Sequence, residues 1–188
     1  MKKILQGVLF LVVGNSGSGK DSILQGAVKN YPPNLKQLYV PKRYITRRPS
    51  ETEESIAISP EDFKIMSKEG KFAFKWHIYG LDYGVPIDID EWLRKGHPVA
   101  VNVSRTIVPK ARKIYDNVKV LFIQVPFETT LKRLKERGRE SEKRMKERIE
   151  RAKSNQMFPD ADYIINNSGQ LNNAITQFLQ FIIKYIKN

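Results

Sequence analysis

The residues with the clearest chemical purpose lie at Gly14-Asn15-Ser16-Gly17-Ser18-Gly19-Lys20-Asp21-Ser22. Glycines in such a run let backbone N–H groups turn inward around phosphate oxygens, and Lys20 follows the last of them as a point charge for β- and γ-phosphates. The apolar run Val8 to Val13 precedes this stretch, and a helix-like segment, Ser22 to Asn30, follows it. Strand, glycine-rich loop, lysine and helix in that order predict a phosphate-binding loop, with the helix adding its positive dipole end. A Gly/Ser-rich turn alone would be an ordinary flexible loop. The lysine and the flanking elements favour a nucleotide site. Asp21 stands where such loops place the Ser or Thr whose hydroxyl binds Mg²⁺. A carboxylate oxygen also suits that hard cation. Asp21 therefore either contacts the metal, directly or through water, or complements the positive start of the helix.

The elements that must position this loop are legible as alternating patterns. Buried strands are expected at Val8–Val13, Val99–Val103, Val118–Val125 and Tyr163–Ile165. Helical patterns lie between them, which predicts an α/β fold with a P-loop core, a parallel sheet wrapped by helices. Ser59 with Asp62 marks a capped helix start that Gly70 ends, and Asp88 with Glu91 marks a short helix stopped at Gly96. Leu171, Ile175, Phe178, Leu179, Ile182 and Ile186 share one face of a final helix. Two stretches interrupt the alternation. Residues 38–90 are rich in β-formers, Tyr and Arg, and 136–151 is a dense run of Arg, Lys and Glu. Around a P-loop core these are expected to be an acceptor-binding lobe and a lid, although a charged run is also the ordinary face of a solvated helix.

At 188 residues the chain fits one such domain, 1–188, and is too short for two of ordinary size. It has no cysteine, so disulfides, zinc clusters and thiol chemistry are excluded. Met1-Lys2-Lys3 and the apolar run after it imitate a secretory signal. That run leads into the glycine loop, however, and reads as the first buried strand. No run approaches membrane-spanning length, and a cytoplasmic protein without membrane partners is expected. The net charge of +13 raises the question of nucleic acid. The basic residues are spread along the chain and interleaved with Glu, with no nucleic-acid motif beside them. Part of the excess suits polyanionic small substrates and part is lysine-rich composition without a specific role, so nucleic acid is not expected as the main partner. Nothing in the sequence sets an oligomeric state.

Further motifs narrow the chemistry: Lys42-Arg43-Tyr44-Ile45-Thr46-Arg47, Ile56-Ala57-Ile58-Ser59, Trp76 to Val85, Asn102-Val103-Ser104-Arg105, and Leu131 to Glu140. In this order, with the loop before them and Asn166-Asn167-Ser168-Gly169 after them, they resemble the guanylate kinase superfamily. In detail they are similar to the ribose 1,5-bisphosphate phosphokinases of bacterial phosphonate breakdown. That resemblance implies ATP and Mg²⁺ as cofactors and a phosphorylated sugar as acceptor, with ribose 1,5-bisphosphate converted to 5-phosphoribosyl 1-diphosphate. It implies roles for Lys20 at the nucleotide, for Arg43 and Arg47 at the acceptor phosphate, with Tyr83 and Arg105 in the same pocket, and for Arg137, Arg139 and Arg148 in the lid. By position, the Glu and Asp with which guanylate kinases hold guanine correspond to about Lys75 and to Asn102 or Ser104. A Lys offers no acceptor. A pocket missing such partners discriminates on the order of 10⁴-fold against the ligand that needs them. Departures from the resemblance include Ser55 in place of a His and Tyr79 in place of an Asn, both in the acceptor lobe. His77 either contacts substrate or packs beside Trp76. The alternatives are a guanylate or other nucleoside monophosphate kinase, and a non-catalytic interaction module. The module is disfavoured by the presence of Lys20 and the arginines of the 136–151 stretch.

Overall fold

A computed structural model describes residues 2–48, 54–137 and 142–186, apart from the side chains of residues 137 and 143. The central sheet is fully parallel. Strand β1 (Leu9–Gly14) lies between β6 (Val99–Asn102) and β7 (Val118–Gln124), and β7 pairs with β8 (Tyr163–Asn166). Tyr39 extends the β6 edge by one bridge, to Val99. These are the apolar runs expected from the sequence, with boundaries moved by one residue.

Successive residues of β1 serve opposite faces of the sheet, as the two-residue repeat of a strand requires. Leu9, Leu11 and Val13 pack with Ile89, Leu93, Ile107 and Val108, below α3 (Ile89–Arg94) and α4 (Val108–Ile114). Phe10 and Val12 pack against α1 (Lys20–Lys29) and α7 (Leu171–Lys184), with Ile23, Leu24, Phe178 and Ile182 closing that layer. Both faces are dry, which explains why β1 reads as a continuous apolar run rather than an alternating one. Helices α1 and α7 approach closely at Gly26, where an added Cβ would sit 2.2 Å from Ile175 Cδ1. The C-terminal helix ends at Lys184, so Ile186 packs from beyond it, and Leu171 at its start is 39 % exposed instead of facing the sheet.

A second sheet is formed within the 38–90 stretch. Its order is β3 (Ser55–Ala57), β2 (Arg43–Ile45), β5 (Leu81–Pro86), β4 (Phe72–Ile78), and only the β2–β3 pair is parallel. Helix α2 (Pro60–Lys68) starts as expected, with Ser59 Oγ accepting from the Asp62 N–H at 3.0 Å, and stops before Gly70, whose φ is 71°. Asp88 does not cap α3 with its side chain. Its carboxylate accepts instead from the Tyr39 hydroxyl at 2.6 Å. Phe74 and Val85 carry the second sheet into the core below α3. The charged stretch contains the end of α5 (Phe127–Arg137) and most of α6 (Glu142–Ser154). No helix among the described residues is long and apolar enough to cross a membrane.

The layer between β1, α1 and α7 converges on Phe178, which is fully buried and near Phe10. Phe178→Ala is expected to cost about 3–5 kcal/mol, transfer and cavity terms together. Urea unfolding followed by circular dichroism measures it. A loss well below that range would mean that α7 contributes little to the core.

Candidate active site

The loop between β1 and α1 is held open by its glycines. Gly17 and Gly19 have φ of 84° and 88°, in the left-handed region where only glycine rests without strain. Gly19 sits at the cap of α1 and supplies no capping side chain. The first N–H groups of α1 are thereby left for an anion. The loop is braced from behind by Asn167, whose Nδ2 donates to Ser18 O at 2.7 Å, and by Arg133, which donates to Gly17 O and Asn167 O at 3.4 and 3.2 Å. A Cβ on Gly19 would lie 2.4 Å from Asn167 Nδ2. Lys20 Nζ donates to the loop carbonyls of Gly14 and Asn15 at 2.8 and 2.9 Å.

Asp21 faces the same cavity, and one of its oxygens is shared. Oδ1 accepts from Arg43 Nη2 at 3.1 Å and from Asn102 Nδ2 at 2.7 Å. Arg43 and Asn102 are both buried, and the Asp21 side chain is one-third exposed. The second oxygen makes no hydrogen bond among the described residues. Asp21 therefore has a definite structural partner, Arg43, in addition to the metal or helix-start roles that the sequence leaves open. Among the described residues no cluster of three or more His, Cys, Asp or Glu could cage a metal. One carboxylate oxygen with the neighbouring Ser22 hydroxyl fits a magnesium ion held mainly by phosphate oxygens and water.

The cavity is lined from four sides. The loop and α1 supply Gly14 to Gly17, Gly19, Lys20, Asp21 and Ser22. The second sheet supplies Arg43, Arg47, Trp76, Ile78, Tyr79 and Tyr83. The end of β6 gives Asn102, Val103, Ser104 and Arg105, and the helices give Leu134, Arg148, Arg151 and Ala152. The structure thus brings together every expected site residue except three. Ser18 is buried inside the loop and does not reach the cavity. The side chain of Arg137 lies outside the described residues, as does all of Arg139.

Several side chains play parts other than those expected. Lys75 bonds to Ser67 of α2 and does not line the cavity. Alternation along β4 turns Trp76 and Ile78 toward it instead. His77 is cross-strand paired with Asp82 at 2.8 Å and stays outside. Tyr83 stacks on Trp76 with ring centroids 5.2 Å apart. The Asn15 side chain turns away from the loop, its Nδ2 donating to Ala152 O and Asn155 O at 3.2 and 3.0 Å. Arg105 Nη2 donates to Asn15 Oδ1 and Asn155 O at 3.1 and 2.9 Å, and its guanidinium lies 5.0 Å from the Phe122 ring. Burial, and next the charge of Arg151, lower its pKa to about 10. Arg148 donates to Ser16 Oγ at 2.6 Å and lies 4.8 Å from the Tyr79 ring. Tyr79 has φ 55°, the only positive φ at a non-glycine among the described residues, and it turns the β4–β5 hairpin with Gly80.

A second cavity opens on the far side of the loop between Gly17, Arg133, Asn167 and Leu171. Sequence reasoning did not pick out Arg133, Asn167, Trp76 or Arg151 as site residues. The spacing of Arg151 from Arg148, three residues on one helix, was the available signal.

The family model for guanylate kinase matches residues 6–185. A ribose 1,5-bisphosphate phosphokinase of Pectobacterium atrosepticum is 40 % identical over 174 residues, 90 % of each chain. The enzyme of the same name from Bradyrhizobium diazoefficiens is 36 % identical over 176 residues, 94 % of this chain and 88 % of that one. A crystal structure of guanylate kinase from Anaplasma phagocytophilum superposes with a TM-score of 0.72 at 16 % identity, over 98 % of this chain and 88 % of that one, and shows the same fold.

Replacing Gly19 tests how the loop is built. Gly19→Ala should lose about 1–2 kcal/mol to the left-handed backbone alone, with a further loss from displacing Asn167. Urea unfolding and ATP calorimetry should show both lower stability and weaker ATP binding. Undiminished ATP affinity in the folded variant would mean that the Gly19–Asn167 approach does not shape the loop.

Proposed function

The chain belongs to the guanylate kinase family, and from that membership we propose that it transfers the γ-phosphoryl group of ATP to ribose 1,5-bisphosphate, giving ADP and 5-phosphoribosyl 1-diphosphate. One observation carries the choice of acceptor. The walls of the cavity that β4 and β6 supply hold Trp76, Ile78, Asn102 and Ser104 with no carboxylate among them, while Arg43 and Arg47 face it from the β2 side. Guanine would need acidic acceptors for its N–H edge. A phosphate-rich acceptor needs cations, and arginine forks bind phosphate bidentately. The relatives described above carry the same activity in their names.

The geometry supports a role for each part of the cavity. The loop N–H groups and the start of α1 hold the nucleotide phosphates. Lys20 exchanges the carbonyls of Gly14 and Asn15 for phosphate oxygens. The second cavity, between Arg133 and Asn167, takes the base end of the nucleotide. Arg43, oriented by Asp21, and Arg47 and Tyr83 hold the acceptor phosphate. Its attacking oxygen is already ionised, so no general base is required. The bond from the γ-phosphorus to the β–γ bridging oxygen breaks as the bond to the acceptor oxygen forms. The residues act by alignment and by neutralising charge. Arg148 supplies a further cation from α6. Mg²⁺, when bound, neutralises part of the phosphate charge, and Asp21 with Ser22 would hold it. The setting is the cytoplasm, where ATP is supplied.

Phosphorus NMR of a mixture of enzyme, ATP, Mg²⁺ and ribose 1,5-bisphosphate should show a new diphosphate signal on the anomeric carbon, with GMP nearly inert. Robust ADP formation with GMP and none with the bisphosphate would reverse the assignment. Asp21→Asn keeps an acceptor for Asn102 but removes the charge. It should raise the Mg²⁺ concentration for half-maximal rate, and an unaltered Mg²⁺ dependence would confine Asp21 to orienting Arg43.

A further inference from the structure

Arg105 and Arg151 form a pair among the cations of the cavity. Both line it, both are half-buried, and neither forms an ion pair with any described residue. Arg105 is fixed in place by Asn15 Oδ1, Asn155 O and the rings of Phe122 and Phe158, all of them neutral. Arg151 follows Arg148 by three residues on α6 and so shares its face of the helix. Two half-buried guanidinium groups in one cavity repel each other and lose hydration, and an anion between them relieves both penalties.

The remaining cations already have work at the phosphoryl-transfer end. Lys20 and the loop serve the nucleotide. Arg43 is tied through Asp21 to the start of α1, where the acceptor phosphate must meet the γ-phosphoryl group. Building on the bisphosphate acceptor proposed above, we infer that Arg105 and Arg151, with the Tyr79 hydroxyl, form a second phosphate subsite for the distal phosphate of that acceptor, the one that is not phosphorylated. The electrostatics agree. Arg151 is near enough to depress the pKa of Arg105 and to act on Tyr79, and burial raises the pKa of the Tyr79 phenol, which keeps it a neutral donor. Ser104, immediately before Arg105, faces the same space. The pair would make a second phosphate on the acceptor a requirement for tight binding rather than an option.

Calorimetry with ribose 1,5-bisphosphate, ribose 1-phosphate and ATP, on the full chain and its Arg151→Ala and Arg151→Lys variants, tests this. Alanine favours the helix at that position, and circular dichroism with ATP affinity confirms an intact fold. Arg151→Ala should weaken the bisphosphate by about 10- to 100-fold, the worth of a charge-assisted phosphate contact, and leave ribose 1-phosphate and ATP unchanged. Arg151→Lys, which keeps the charge without the fork, should recover part of the loss. Equal losses for both sugars would place Arg151 at the transferred end, and a loss confined to ATP would place it at the nucleotide. Either result, or no loss at all, overturns the subsite. Failure of the unmodified chain to bind or phosphorylate the bisphosphate would instead refute the acceptor itself, and is visible before any variant is measured.

Discussion

One carboxylate oxygen ties the cavity together. Asp21 Oδ1 receives Arg43 from the second sheet and Asn102 from the end of β6, while Asp21 itself rides on the first turn of α1. Three elements far apart in sequence are thus set against one another at hydrogen-bond precision. Asp21 gives the buried Arg43 guanidinium a charge to face. A serine in place of Asp21 would leave Arg43 without that counter-charge. The negative charge that looks awkward in a phosphate loop has a structural use: it holds Arg43 and Asn102 against the start of α1.

Arg105 is oriented by different means. It rests on an asparagine, a carbonyl and two phenylalanine rings. Neutral acceptors and aromatic faces fix a guanidinium without cancelling its charge. Arg105 therefore brings both a set direction and its charge to the cavity. For a reaction that brings two anions together, orientation with charge retained is the useful combination.

How much of this the sequence disclosed depended on the kind of signal. The loop, its strand and its helix were legible because glycine, lysine and a continuous apolar run each have one strong local meaning. So was the α2 start, where Ser59 bonds the Asp62 N–H as its spacing requires. Lys75, which the resemblance set at about the guanine-binding position, turns out to Ser67 while Trp76 and Ile78 face the cavity, because neighbouring residues of a strand point to opposite sides. Asp88 looked like a helix cap, but its carboxylate was claimed by Tyr39, a partner 49 residues away that no local pattern reveals. Asn15 is the plainest case of tertiary context. From the sequence it belongs to the phosphate loop, yet its amide serves the carbonyls at the end of α6.

That anchoring of α6 has a mechanical meaning. The helix is 13 residues long, about 20 Å at 1.5 Å per residue, and it meets the loop at two levels, through Asn15 at Ala152 and through Ser16 at Arg148. Two attachments about one turn apart fix the direction of a rod, which a single attachment leaves open. Arg151 lies between them. The loop that wraps the phosphates is therefore also the part that aims this helix.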